Sequence, residues 1–392
     1  MEKQLPKRVL FCATVDYHFK VFHIPYLKWF KEQGWEVHIA AFGELELPFV
    51  DEKYNIPIQR SPFKLKNIEA YKQLKEIIDN NTYQIIHCHT PMGGVLTRLA
   101  AREARRNGTK VIYTAHGFHF CKGAPLVNWL LYYPIERVLA SYTDCLITIN
   151  EEDFNLAKSH GFKAGTIEHV HGVGVNTDVF KPVDGLRKNV LRRAYGYKPE
   201  DFLMIYAAEF NKNKNQQLLI RALAEIKDEV PGARLLLAGE GALLGECKEL
   251  AEKLGISGMV DFLGFRNDVE MLLKMSDIAV ASSLREGLPV NIMEAMACGL
   301  PVVATKNRGH RELIANYNNG WVISENNIKE MAEKLFLLAN NSELKKYLGL
   351  NGRKKIDISY STKKVLSELN IIYISIIQFG ARDEKSGVPR IF

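Results

Sequence analysis

Short apolar runs alternate with amphipathic stretches along most of this chain. Arg8–Thr14 reads as a buried strand. Apolar residues at helical spacing follow over Ile24–Gln33, and Gly34 ends them. Trp35–Ala40 reads as a second strand, Ile68–Asn80 as a helix and Gln84–His89 as a strand. Gly94–Asn107 reads as a basic helix stopped by Gly108, with a strand at Lys110–Thr114. Short strands separated by longer helices predict parallel βαβ units.

The pattern restarts in the second half. Strands are expected at Phe202–Ala208, Ala233–Ala238, Val260–Leu263, Ile278–Ser282 and Pro301–Ala304. Helices are expected at Asn215–Asp228, Glu246–Leu254, Val269–Met275 and Pro289–Cys298. The fold class is therefore α/β, with two doubly wound, parallel-sheet, Rossmann-like domains joined near Val173–Asp184. The expected domains cover residues 1–183 and 184–361, followed by a helix over 362–379 and a tail over 380–392. A chain of 392 residues has room for two such cores. Ligands of open parallel sheets sit at the carboxyl ends of the strands. Two such sheets facing a central cleft would give a donor and an acceptor one wall each.

Composition narrows the class. A chain 47% hydrophobic and 25% charged is an ordinary globular one, which excludes a disordered or fibrous protein. The net charge of +7 suits an anionic ligand or an anionic membrane surface. No nucleic-acid motif accompanies it, so no nucleic-acid partner is expected. The six cysteines are scattered and read as small buried hydrophobes of a reducing compartment. Met1–Lys7 has no secretory character. The apolar stretches Ala124–Ile135 and Leu369–Ala381 fall short of the ~20 residues that a membrane helix needs. A cytoplasmic protein is expected. Arg98, Arg102, Arg105 and Arg106 recur at helical spacing, and Trp129–Tyr133 is aromatic and apolar. Together they fit either peripheral docking on the inner face of the cell membrane or a solvated face beside a core helix.

The most informative segment is Arg285–Thr305, REGLPVNIMEAMACGLPVVAT. Pro289 suits a helix start, Gly299 its C-cap, and Pro301 prevents continuation. Glu286 then lies in the loop before the helix and Glu294 inside it. The free N–H groups around Gly287–Val290, from Gly287, Leu288 and Val290 on either side of Pro289, frame an anion site for a diphosphate. One carboxylate can reach sugar hydroxyls and the other a ribose diol. The competing reading makes both glutamates ordinary helix charges.

This segment resembles the family 4 retaining glycosyltransferases, which have the GT-B fold. The resemblance extends over nearly the whole chain through further motifs in order: AEFNKNKN at Ala208–Asn215, AGEG at Ala238–Gly241, DFLGFR at Asp261–Arg266 and YTAHGFHF at Tyr113–Phe120. It implies that Glu286 contacts the transferred sugar and Glu294 the ribose. Lys214 would grip the diphosphate, Gly239 and Gly241 would let backbone approach the ligand, and Phe265 and Arg266 would border the base. His116 would approach the reacting carbon. Glu209 departs from the family pattern by standing where an arginine is usual. Lys212, Arg266 or Arg285 would then replace that arginine, or Glu209 itself would contact sugar or acceptor. Asp16, His18 and His23, in the first βα loop, are acceptor-side candidates, while His87 and His89 would support the cleft wall.

RGHRE at Arg308–Glu312, with NKNKNQ and HGFHF, resembles glycosyltransferases of capsular and exopolysaccharide synthesis. The expected reaction moves a hexosyl or N-acetylhexosaminyl unit, with retention, from a nucleoside diphosphate sugar (UDP-linked) to a lipid-linked saccharide. No cofactor is expected. No D-x-D motif and no Cys/His metal-ligand spacing occurs, so no metal is expected. The alternatives are a sugar-nucleotide epimerase of the same fold and a non-catalytic sugar-nucleotide-binding partner subunit.

Overall fold

The computed structural model describes residues 6–386, with side chains through 378. Contacts divide the chain into two units. One holds the chain up to Gly174 together with the stretch from Val365 on; the other spans Val175–Lys364.

The first unit is built on seven parallel strands in the order β3-β2-β1-β4-β5-β6-β7. They are β1 (Arg8–Val15), β2 (Glu36–Phe42), β3 (Glu52–Asn55), β4 (Ile85–His89), β5 (Lys110–Ala115), β6 (Cys145–Thr148) and β7 (Thr166–His169). The second unit has six parallel strands in the order β10-β9-β8-β11-β12-β13. These are β8 (Phe202–Ala207), β9 (Ala233–Ala238), β10 (Val260–Gly264), β11 (Ile278–Ala281), β12 (Val302–Thr305) and β13 (Gly320–Ile323). Both orders step outward from the first strand and then reverse. This creates a switch point between β1 and β4 in one unit and between β8 and β11 in the other. The central strands are mostly apolar and buried because helices cover both sheet faces. β4, β6, β11 and β12 are buried at every position.

Several sequence expectations change. The boundary lies at 174/175 rather than 183/184. Val175 N–H donates to the Tyr360 carbonyl at 2.9 Å, its own carbonyl accepts from Thr362 N–H, and it bridges Ser361. The loop at Asp16–His23 contains a short helix, Tyr17–Phe22. The basic helix is two, Pro91–Ala100 and Arg102–Arg106. The final helix runs from Thr362 to Ser386, so residues 380–386 are helical rather than a tail. A single glycine at 380 costs a helix only ~1 kcal/mol, and good helix formers follow it. The rest of the expected tail, 387–392, lies outside the described residues. This helix is anchored in the first unit by Tyr373, which is 1% exposed, bonds His87 Nδ1 through its hydroxyl at 2.7 Å and stacks on Trp29.

The arginine face is also corrected. Arg98 is buried, donates to Glu136 Oε2 at 2.8 Å and lies 3.8 Å from the Tyr113 ring centre. Arg105 is paired with Asp144, Arg106 with Glu103, and Arg102 covers the Tyr142 ring. The neighbouring helix Leu126–Ala140 exposes mainly apolar residues, Leu126, Val127, Leu130, Leu131, Ile135 and Val138, together with Arg137. No helix among the described residues is long and apolar enough to cross a membrane. All six cysteines are buried and unbridged.

Candidate active site

In the second unit the loops after β8 and β11 meet at the switch point. Asn213 ties them together. Its side chain donates to the Arg285 carbonyl at 3.0 Å and accepts from Arg285 N–H at 3.1 Å, and its carbonyl accepts from Leu284 N–H. Ser282 Oγ donates to the Lys214 carbonyl at 2.7 Å. These bonds bring Lys214 Nζ to 2.5 Å from Glu286 Oε1, so two residues far apart in sequence form one ion pair.

The helix Val290–Ala297 begins just beyond this pair, with Pro289 at its N-cap. Its first N–H groups have no partner within the helix and carry its positive dipole end. Asn291 Nδ2 donates to the Ala207 carbonyl at 3.0 Å and pins that helix start to the end of β8. Glu294, one turn on, is partly buried. Burial, helped by the nearby Glu270 charge, pushes its carboxyl up to about 7.

Glycines hold the neighbouring segments against this centre. A Cβ at Gly239, where φ is +149°, would lie 2.1 Å from the Ala208 carbonyl oxygen. A Cβ at Gly309 would lie 2.9 Å from the Gly287 oxygen and from Pro289 Cδ. Arg308 Nε also donates to the Glu286 carbonyl at 3.2 Å. Gly241 packs on Phe210 in the same way. The motifs AEFNKNKN, AGEG, REGLP and RGHRE thus converge on one end of one sheet. Leu288 and Pro289 are buried beneath it, and Gly287 and Val290 are partly buried.

Three further candidates of this unit have the following surroundings. Glu209 is exposed and accepts from Asn211 Nδ2 at 3.0 Å. Arg266 is held by Asp268 through two bonds, at 2.7 and 2.5 Å, so its guanidinium is committed to that carboxylate. Phe265 is 62% exposed. Lys212 and Arg285 are exposed.

In the first unit, Asp16 is buried and bonds Lys53 Nζ at 2.7 Å and Leu45 N–H at 2.8 Å. Its carboxylate secures a loop, which corrects the acceptor-side expectation. His18, His23, His89 and His116 gather at the ends of β1, β4 and β5, with one nitrogen of each ring within 4.8 Å of the others. His23 Nε2 lies 3.2 Å from His89 Nδ1, and that atom lies 3.3 Å from His116 Nε2. Burial pushes His116 down to about 4, and pushes His18 down to about 2 with help from His116. Burial lowers His23 and His89 as well. His87 is bonded at both nitrogens, to Tyr373 and Thr114, and supports the cluster from below His89. Sequence reasoning found these histidines singly and missed the cluster. The available signal was their positions: each sits at the end of, or just after, strands that are neighbours in the sheet.

A cavity of about 930 Å³ adjoins the same end of this sheet. Its lining is mostly apolar and includes Phe22, Phe63, Ile68, Met92, Leu96 and Ile135, with Arg60, Lys64 and His119.

Two family profiles match the chain: "Glycosyl transferase 4-like" over residues 8–150 and "Glycosyl transferases group 1" over residues 187–355. A Bacillus subtilis (strain 168) protein described as a glycosyltransferase, EpsD, is 51% identical over 97% of this chain and 100% of its own length. The Escherichia coli UDP-Gal:alpha-D-GlcNAc-diphosphoundecaprenol alpha-1,3-galactosyltransferase is 27% identical over 81% of this chain and 83% of its own. Among solved structures, Anabaena HepE in complex with UDP and glucose superposes with a TM-score of 0.77, at 18% identity, over 94% of this chain and 100% of that one. The paired motifs, the two sheets and these likenesses agree, and the chain belongs to the family 4 glycosyltransferases of GT-B fold.

Proposed function

We propose that this enzyme transfers a hexosyl or N-acetylhexosaminyl unit, with retention, from a UDP-sugar to a lipid-linked saccharide during cell-surface polysaccharide synthesis. The observation that carries the donor half is the Lys214–Glu286 pair beside the N-terminus of Val290–Ala297. An incoming diphosphate takes Lys214 as a compact cation and the helix N–H groups as donors. Glu286, relieved of its ion pair, accepts from sugar hydroxyls, and Glu294 accepts from the ribose diol. The bond from the anomeric carbon to the diphosphate breaks as the acceptor oxygen bonds to that carbon. The acceptor's proton passes to the departing phosphate. Stabilising the charge that builds on that phosphate is the main catalytic contribution. No metal is assigned to the diphosphate.

UDP is favoured because HepE was solved with UDP and glucose and the E. coli relative is named for UDP-Gal. The lipid-linked acceptor is favoured by that relative's diphosphoundecaprenol substrate and by the apolar cavity beside Arg60 and Lys64. An isoprenoid tail suits the apolar lining, and the two cations suit its diphosphate. The exposed apolar stripe of Leu126–Ala140 supports seating at the inner face of a membrane, in place of the arginines.

Calorimetric titration tests the donor half. UDP is expected to bind the wild type saturably, with GDP much weaker, and binding should be lost in Glu294→Ala. Equal binding of both nucleotides, or unchanged binding in the variant, would refute the assignment. Sedimentation with anionic vesicles tests the stripe. Leu126→Ser/Leu130→Ser should lower vesicle binding by about a hundredfold or more, since each buried leucine contributes ~1.5–3 kcal/mol. Unchanged sedimentation removes the stripe from the reading.

A further inference from the structure

The histidine cluster of the first unit has no task in the transfer reaction beyond His116, yet its geometry is specific. Four imidazoles from three segments converge: His18 and His23 at the two ends of the helix Tyr17–Phe22, His89 at the end of β4, and His116 just after β5. We propose that His18, His23, His89 and His116 form a tetrahedral site for a transition-metal dication of the zinc class, fastening the first βα segment to the sheet.

Two observations carry this. The first is spacing. A tetrahedral zinc ion with Zn–N bonds of ~2.0–2.1 Å sets its nitrogens roughly 3.3–3.4 Å apart. The His23–His89 and His89–His116 nitrogen pairs are 3.2 and 3.3 Å apart. The second is hydrogen-bond accounting. Nε2 of His18 is buried in this cluster without a hydrogen-bond partner, whereas the orphaned Nδ1 of His23 and Nε2 of His89 are the nitrogens opposite those that would face the ion. A buried polar atom left unsatisfied is costly, and an ion among the four rings would give the His18 nitrogen its partner. His87 supplies the contrast: its ring packs on His89 at a tilt, but both its nitrogens are satisfied by Tyr373 and Thr114, so it buttresses the site and is not a ligand.

The donor set selects the metal class. Neutral imidazoles suit zinc, copper, nickel or iron, and with no carboxylate among the four ligands the set disfavours magnesium or calcium. Four protein ligands close the coordination shell, which makes the site structural. It lies in the first unit and is separate from the diphosphate site. With metal bound through Nε2, His116 retains only Nδ1 for a substrate contact.

The test uses the full chain, stripped with EDTA and titrated with Co2+. Expected are the intense visible bands of tetrahedral Co2+, saturating at one ion per chain and displaced by Zn2+. Zinc at a hundredfold excess over its Kd should raise Tm by about 5 °C or more. His23→Phe and His89→Phe should weaken binding by about a hundredfold or more, while His160→Ala, outside the cluster, should bind as the wild type does. Zinc-edge X-ray absorption on the wild type decides the matter even if those variants fail to fold: a shell of four imidazole nitrogens supports the site. A shell containing sulfur, a wild type without tetrahedral bands, or folded variants that bind unchanged would overturn it.

Discussion

Glu294 shows how a single residue's surroundings set its use. Its carboxyl is held near 7 because burial and the Glu270 charge both disfavour ionisation. Ribose hydroxyls donate best to the ionised form. Below the raised pKa the group holds its proton and loses acceptor capacity; above it the full interaction is present. UDP affinity is therefore expected to rise from pH 6 to about 8. The component due to Glu294 should vanish in Glu294→Gln, which separates it from titration of the nucleotide's own phosphate. Parallel pH profiles for wild type and variant would exclude Glu294 as the ribose acceptor. Hydrogen bonds to charged groups contribute about 1.5–3 kcal/mol, so Glu294→Gln should cost about tenfold to a hundredfold in affinity at pH 8.

At the scale of elements, the helices Pro91–Ala100 and Leu126–Ala140 are joined through Arg98 and Glu136. Both groups are buried, so removing one leaves the other charged and unpaired in a low-dielectric setting. Arg98→Met is expected to cost about 3–5 kcal/mol in urea unfolding. The double variant Arg98→Met/Glu136→Leu should recover most of this, because no lone charge remains buried. A double variant no more stable than the single one would place the cost in lost packing on Tyr113. The same buried pair explains why helical spacing alone misassigned Arg98: periodicity says which residues share a face, not which face meets the core.

At the scale of the whole molecule, the final helix leaves the second unit at Lys364 and enters the first. Its hold there is concentrated at Tyr373, against Trp29, Phe30 and His87. Tyr373→Ala opens a large cavity and leaves His87 Nδ1 unpaired, which should cost about 3–5 kcal/mol. Limited proteolysis should then cut near the start of this helix in the variant and not in the wild type. Equal resistance would mean that the helix is held elsewhere.

Most of the fold was legible locally. Apolar runs such as Ile278–Ala281, helix signals such as Gly34 and the Pro289–Gly299–Pro301 frame depend on neighbours in sequence, and so did the placing of Lys214 and Glu286 in loops after strands and of Glu294 in the helix that follows. The four-residue strands β3, β6, β7 and β13 were not marked, although the equally short but wholly apolar β11 and the near-apolar β12 were. Asp16, Arg98 and the histidines were misjudged or seen singly. Their roles depend on distant partners: Lys53 is 37 positions from Asp16, Glu136 38 from Arg98, and His89 66 from His23 and 27 from His116. The sequence by itself determined two parallel α/β units and the loop–helix frame that carries Glu286 and Glu294, since both follow from local pattern. Only the tertiary structure decided which charged and titratable groups meet, because strand order in the sheet, and not order in the chain, sets their neighbours.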